Sequence, residues 1–525
     1  MTEAPETHSW PKAPVIYQIY PRSFRDSDGD GVGDLRGILE KLDHVAELAV
    51  DAIWISPFYP SPLRDGGYDV ADHISVHPAM GTMADFEALV ARAHALGLKE
   101  LIGQVFNHTS TENPWFQLSA AGDPDYADFY VWADPKPDGT QPNNWLSQFG
   151  PPAWTWNHRR RQYYFHNFTA DQPSLNLRNE AVQEQLRNIM AFWRARGVDG
   201  FRIDAVTSFL FDPGLADNPV ATPAVRARVS GETFVPYTYQ DHAHDILPGD
   251  GIAYIDRLRF WAGQDAYLLG EVTSGNKSVE IACQLAAPGR LDTAYTTDFP
   301  EAGGTAEAYA DVLSRCADKA AVGWWLSSHD QPRHAGKAGD GSPRDVRFLA
   351  TVLALSPGPV ILYQGEELGL SQPKLPKSAV TDPLDLLYWP DGPGREGARV
   401  PLPWAEGDDR GFSTGRPWLP MDWPDGVSVH VQDVQRDSNL AFYRRAMRFR
   451  RDHRIGNMVL ADWSHDGDVI RLSYDAPGDV GAAGAEVVLN FGEGSCRTRA
   501  RPDLASSGFD GTHMPGRCAG AWLRR

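Results

Sequence analysis

Cysteine is scarce in this chain of 525 residues: there are four, Cys283, Cys316, Cys496 and Cys518, with no paired short spacing. That argues against a zinc site and against a disulfide scaffold, and four free thiols are expected. Long hydrophobic runs are missing as well. No stretch of about 18 apolar residues occurs, so no membrane-spanning helix is expected, and residues 1–11 lack the basic-then-apolar layout of a secretory signal. The expected location is cytoplasmic. Positive charge is in deficit, 49 Lys and Arg against 69 Asp and Glu for a formal net charge of −20. Nucleic acids and anionic membrane surfaces both need a basic footprint and are excluded as partners. A neutral ligand is indifferent to that charge.

What the chain does have is aromatic surface, with 17 Trp, 18 Tyr and 22 Phe. Most of these rings belong in the core, yet they also offer the flat faces on which sugars stack. The length exceeds what one core supports, which predicts a large domain with smaller attachments. Apolar runs of strand length at 15–20, 52–56, 98–106, 200–204, 267–272, 294–299, 323–327 and 359–363 alternate with helical patterns. Two such patterns are residues 38–50, with Ile38, Leu42 and Val45 on one face, and 180–196, with Val182, Leu186, Ile189 and Trp193 on one face. Eight strands in this rhythm predict an α/β fold, a (β/α)8 TIM barrel spanning 1–107 and 177–454. Residues 108–176 break the rhythm and read as a small domain inserted after the third strand. A second irregular stretch, 371–424, is expected to drape over the barrel mouth. Short alternating runs after residue 454 predict a C-terminal all-β domain, a β-sandwich, over 455–525.

Three segments place a carboxylate just past an apolar run: Gly-Phe-Arg-Ile-Asp204, Leu-Leu-Gly-Glu271 and Trp-Trp-Leu-Ser-Ser-His-Asp330. A parallel barrel gathers the C-terminal ends of its strands around one pocket, so acids far apart in sequence can meet on one sugar ring. Retaining glycosidases need an ionised carboxylate as nucleophile and a protonated carboxyl as acid, roughly 5 Å apart. Arg202 lies two residues before Asp204, on the same face of the strand, and favours the ionised form there. Glu271 sits between Gly270 and Val272, an apolar setting that raises a carboxyl towards the working pH.

Further motifs join these: Tyr17-Gln-Ile-Tyr-Pro-Arg-Ser-Phe24, Asp26-Ser-Asp-Gly-Asp-Gly-Val-Gly-Asp-Leu35, Gly67-Tyr-Asp-Val70, Asn107-His-Thr-Ser110, Gln364-Gly-Glu-Glu367 and Arg399-Val-Pro-Leu-Pro-Trp404. Together they resemble glycoside hydrolase family 13, the α-amylase superfamily, in its oligo-1,6-glucosidase and α-glucosidase branch. The resemblance runs from residue 14 to at least 450. It implies Asp204 as nucleophile, Glu271 as acid/base and Asp330 as the carboxylate gripping the 2- and 3-hydroxyls of the ring. It places Tyr68, Asp69, His108, Arg202, His329 and Arg399 around a terminal glucose, with Asp69 and Arg399 closing the pocket at its 4-hydroxyl. Phe149 and Phe168 match aromatic positions between donor and acceptor sites. A closed pocket implies an exo-acting α-glucosidase on short oligosaccharides such as maltose or sucrose, with water or another hydroxyl compound as glucosyl acceptor. Ala205, where the branch carries Val in enzymes that cut α-1,6 bonds, favours α-1,4 linkages.

The acidic loop has oxygen ligands at alternating positions, which suits a hard cation, but Gly37 stands where an EF-hand needs its twelfth-position glutamate. The resemblance implies a structural Ca²⁺, or Mg²⁺, held by Asp26, Asp28, Asp30, Asp34 and the Val32 carbonyl. Some residues depart from the family pattern. Gly103 replaces an Asp that orients the Arg202 position, Ser328 replaces an Asn, Ser174 an Asp, and Gln148 and Pro151 flank Phe149 unusually. These leave open a divergent specificity, a laboratory variant or a weakened enzyme. Two other readings remain beside hydrolysis: a sucrose or maltose isomerase or glucosyltransferase on the same fold, and a non-catalytic accessory protein.

Overall fold

The computed structural model describes residues 9–229, 234–273, 275, 279–316, 322–337, 341–477 and 479–524. Seven parallel strands form one curled sheet: β1 Val15–Ile19, β2 Ala52–Ile55, β3 Lys99–Gln104, β4 Gly200–Ile203, β5 Tyr267–Val272, β6 Thr293–Thr296 and β7 Val360–Tyr363. Their order, β7-β1-β2-β3-β4-β5-β6, leaves β6 and β7 as facing edges. The eighth expected strand, 323–327, is not a strand. Val322 bridges Ala294 on one side and Trp324 bridges Val360 on the other, so each edge gains a single contact that closes the ring without a ladder.

Side chains alternate across these strands. Ile16, Trp54, Leu101, Leu269, Tyr295, Trp325 and Ile361 fill the barrel interior. The opposite faces meet helices whose apolar stripes were legible in the sequence. Leu35–Glu47 buries Ile38, Leu42 and Val45 and is capped by Asp34, which accepts the Gly37 N–H. Glu180–Arg194 buries Val182, Leu186, Ile189 and Trp193. Burying each such side chain favours folding by about 1.5–3 kcal/mol.

Between β3 and β4 the chain forms the helix Pro114–Ala121 and a three-stranded antiparallel sheet with Gln162–Phe165 between Trp132–Ala133 and Trp154–Asn157. Bridges from His108 to Ser174 and from Tyr130 to Leu175 tie this excursion to the exit of β3. Past the helix Asn439–Asp452, a five-stranded antiparallel sheet is built from Val459–Asp466, Val469–Ala476, Asp479–Asn490, Leu504–Ala505 and Cys518–Arg524.

The expectation of four free thiols is wrong for one pair. Cys283, on the helix Val279–Leu285, and Cys316, just past the helix Ala306–Arg315, form a disulfide with Cα atoms 6.2 Å apart. The helices following β5 and β6 pack side by side, and that neighbourhood is invisible in a sequence separation of 33. Cys496 and Cys518 are free thiols. Among the described residues no helix is long and apolar enough to cross a membrane.

Candidate active site

The C-terminal ends of the barrel strands open into a cavity of about 160 Å³ lined by Asp204, Glu271 and Asp330, together with Asp65, Tyr68, His108, Phe149, Phe168, Gln172, Tyr295 and Arg395. All three carboxylates singled out in the sequence therefore face one space. Asp204 follows β4, and Ala205 beyond it turns sharply at φ 43° and ψ 46°. That turn sends the Ala205 N–H to Glu271 Oε2 at 3.1 Å. Arg202 is fully buried and joins the two acids: Nη1 contacts Asp204 Oδ1, and Nη2 lies 2.7 Å from Glu271 Oε2. Glu271 also donates a side-chain hydrogen bond to Asp204. The guanidinium rests 4.9 Å over the Trp54 ring.

Burial pushes Glu271 up to about 7, reinforced by the charges of Asp204 and Asp330 and opposed by Arg202. Burial raises Asp204 too, with Arg202 pulling it back. Arg202 alone therefore does not set the ionisation of Asp204, as its spacing had suggested; removal from water is the larger influence. Glu271 is the group that carries a proton near neutrality. Asp330 differs. It is half-buried, and although desolvation raises it, Arg395, His329 and Arg399 hold it well below the usual carboxylate range. Its Oδ1 accepts from Arg395 Nε at 3.0 Å and Nη2 at 2.6 Å and from Arg399 Nη2 at 2.9 Å, while Oδ2 lies 3.0 Å from His329 Nε2.

Tyr68 and His329 stack with centroids 5.0 Å apart, and among the described residues the buried Tyr68 hydroxyl has no partner, leaving it for a ligand at the cavity wall. His108 is kept neutral by burial, which lowers it to about 3. Its Nε2 lies 3.1 Å from both the Tyr68 carbonyl and Gln172 Nε2. Phe168 meets His108 edge-on at 5.1 Å and Phe149 at 6.3 Å, so the two phenylalanines sit at the cavity as expected.

Asp69 does not. It is fully buried beneath the wall, accepting from Ser61 Oγ at 2.8 Å and from the N–H groups of Arg64 at 2.9 Å and Asp65 at 3.2 Å. Gly66 and Gly67, at φ 60° and 107°, reverse the chain between Asp65 and Tyr68, so Asp65 takes the cavity position. Arg399 stands one layer back, bound to Asp330 and to Asp382 at 3.1 Å, and Arg395 lines the cavity in its stead. Arg395 Nη2 is 3.4 Å from Asp65 Oδ1, closing this end of the pocket. The sequence signals for the missed pair were an acid three residues before Tyr68 and an arginine one helical turn before Arg399. Gln172 and Tyr295 carried no signal of their own.

The departures at 103 and 328 have structural outcomes. Arg202 remains on both acids although Gly103 gives it no side-chain partner, and Tyr295 OH accepts from its Nε at 3.0 Å and Nη2 at 2.7 Å. Ser328 Oγ accepts the Asp330 N–H at 3.1 Å.

Away from the cavity, carboxylate oxygens of Asp26, Asp28 and Asp34 lie within 4.8 Å of one another, an all-oxygen set that fits a hard cation. Asp30 is not in this group; its Oδ1 accepts the Val32 N–H at 2.7 Å. The loop is also self-supporting, since Asp26 accepts N–H groups from Asp28, Gly29 and Gly31 at 3.0, 2.7 and 2.8 Å.

Known proteins match this chain closely. The family model described as "Alpha amylase, catalytic domain" matches residues 18–458. A "Probable alpha-glucosidase" of Rhizobium meliloti (strain 1021) is 43% identical over 456 residues, 84% of this chain and 82% of that protein. An oligo-1,6-glucosidase of Parageobacillus thermoglucosidasius is 32% identical over 485 residues, 85% of this chain and 84% of that protein. Among solved structures, that of an alpha-glucosyl transfer enzyme, XgtA, superimposes with a TM-score of 0.91 at 36% identity, covering 98% of this chain and 100% of the other.

Proposed function

The chain belongs to the alpha-amylase family and is a glycoside hydrolase, and from that premise we propose that it is a retaining, exo-acting α-glucosidase working through a covalent glucosyl-enzyme intermediate. The observation that carries this reading is the single buried arginine bridging Asp204 and Glu271 inside one cavity. Inverting enzymes hold their carboxyls roughly 6.5–9.5 Å apart to admit a water between them. Two acids joined by one guanidinium and a hydrogen bond leave no such gap. Asp204 attacks the anomeric carbon, and Glu271, the proton carrier, protonates the departing oxygen. In the second half Glu271 accepts a proton from the incoming hydroxyl, which displaces Asp204. Asp330, ionised beside Arg395 and Arg399, grips ring hydroxyls, and Asp65 with Arg395 ends the pocket at one sugar.

Water and other hydroxyl compounds compete for the intermediate. The cavity opens past Gln148, Glu301, Gln331 and Leu384 into a groove of about 790 Å³, room enough for an acceptor larger than water. This space and the likeness to a glucosyl transfer enzyme favour transfer alongside hydrolysis, with short α-glucosides such as maltose or sucrose as donors. Three carboxylates kept in one pocket disfavour a non-catalytic accessory role. A structural Ca²⁺ or Mg²⁺ at Asp26, Asp28 and Asp34 belongs to the same proposal, as does a cytoplasmic site of action, against which the Cys283–Cys316 disulfide speaks.

The test is turnover of p-nitrophenyl α-glucoside by the wild type, Asp204→Ala and Glu271→Gln, with product analysis from maltose and sucrose. Wild-type turnover with loss in the Asp204 variant on the order of 10⁴-fold is expected. Undiminished turnover in either variant would remove the assigned roles.

A further inference from the structure

Arg202 is the hinge of the reacting pair, and its own orientation has to come from somewhere. Its neighbours across the sheet are Gly103 on β3 and Leu269 on β5, neither of which can accept a hydrogen bond from it through a side chain. A Cβ added at Gly103 would meet Pro57 Cδ at 3.0 Å, so the Pro57 ring occupies the space where a side chain at 103 would begin. Among the described residues, the uncharged side chain that hydrogen-bonds the guanidinium is the phenol of Tyr295, which takes both Nε and Nη2. Tyr295 is itself fixed. It lies on β6 in register with Glu271, and its ring packs against Trp325 at 5.5 Å and Trp54 at 6.2 Å.

We propose that Tyr295 is the positioning residue of this site: by holding the Nε and Nη2 edge of Arg202 it aims the guanidinium at Asp204 and Glu271 together. This rests on the α-glucosidase reading and deepens it. A neutral anchor suits the task, because an acidic one would draw off part of the positive charge that the two carboxylates share. The phenol stays neutral at every working pH, since burial raises it well above its ordinary value. Accepting two N–H bonds leaves the hydroxyl hydrogen without an acceptor among the described residues, at the wall of the cavity that Tyr295 lines.

The role predicts a pH signature. The charged and titratable groups that reach Glu271 are Arg202, Asp204 and Asp330, with the Tyr68 and Tyr295 phenols beside them. If Arg202 is released, Asp204 and Glu271 lose the cation that opposes their burial, and both shift upward. The acid limb of the kcat/KM profile, set by ionisation of the nucleophile, and the alkaline limb, set by loss of the Glu271 proton, then move to higher pH together.

The experiment is Tyr295→Phe, which keeps the ring and removes only the hydroxyl, assayed with p-nitrophenyl α-glucoside from pH 4 to 9. The expected result is a kcat about 10- to 100-fold lower, KM within about threefold, and both limbs displaced upward by half a unit or more. A melting temperature matching wild type shows that folding is not the cause. Kinetics within twofold of wild type would overturn the proposal, and so would a loss of activity with unmoved limbs, which marks a packing role. Absence of turnover in the wild type would instead strike the α-glucosidase reading itself.

Discussion

Two halves of one pocket treat carboxylates in opposite ways. On one side Asp204 and Glu271 share a single arginine and are both pushed up, Glu271 to about 7. On the other, Asp330 is about a third exposed, lies against two arginines, Arg395 and Arg399, that also reach Asp65 and Asp382, and is driven well below the usual range. The number of arginines set directly on the carboxylate, together with its exposure, separates the two outcomes. A site that sets one arginine between two buried acids keeps a proton available, whereas one that sets two arginines on a partly exposed carboxylate makes a fixed anion. The first arrangement suits proton transfer and the second suits gripping hydroxyl groups.

The largest effect that breaks this comparison comes from the anionic half. Asp330→Asn leaves Arg395 and Arg399 facing a neutral amide, and kcat/KM should fall by about 10²- to 10³-fold. A loss below fivefold in steady-state kinetics would show that the anion is not used. Next comes the proton-sharing half. Activity should decline as pH rises through Glu271's value of about 7, since the general acid must be protonated, and Glu271→Gln should abolish that alkaline limb for substrates with good leaving groups. A flat profile between pH 6 and 9 in wild type would contradict it.

A fourth acid sharpens the lesson, since among the described residues no cation pairs with it. Glu100 on β3 is fully buried, and among the described residues neither of its oxygens has a hydrogen-bond partner. Burial drives it well above its ordinary value, with the Asp199 charge adding to the effect. Its folded-state value exceeds the unfolded one, so the native form holds a proton that the unfolded chain releases. Stability then falls as pH rises above the unfolded value. Glu100→Val should stabilise the fold by about 1–3 kcal/mol, more at pH 8 than at pH 5, measured by thermal or denaturant unfolding. A destabilised variant, or one whose gain is the same at both pH values, would sink this account.

The smallest effect concerns the acidic loop. Stripping divalent cations should lower the melting temperature by a few degrees at most, because the loop already satisfies Asp26 with its own N–H groups. An unchanged curve with no bound metal by elemental analysis would remove the cation from the proposal.

Much of this was legible in the sequence because it is local. Strand ends such as Gly200–Ile203 and Tyr267–Val272 fell within a residue of their expected limits, and with them the placement of Asp204 and Glu271. What escaped depends on turns and tertiary neighbours. The Gly66–Gly67 reversal swaps Asp65 for Asp69 at the cavity, an effect of two positive φ angles rather than of composition. Arg395 stands in an irregular stretch where no periodicity tells which of two arginines faces inward. The Cys283–Cys316 bridge needs two helices side by side. Tyr295 matters only because Arg202 arrives beside it from another strand.

The most direct test of the central claim is to trap the intermediate. Glu271→Gln can be loaded with α-glucosyl fluoride, whose leaving group needs no acid, and digested for peptide mass analysis. The account predicts one glucosyl group attached through the peptide that contains Asp204. Turnover of the fluoride with no adduct, or an adduct on any other carboxylate, would contradict it.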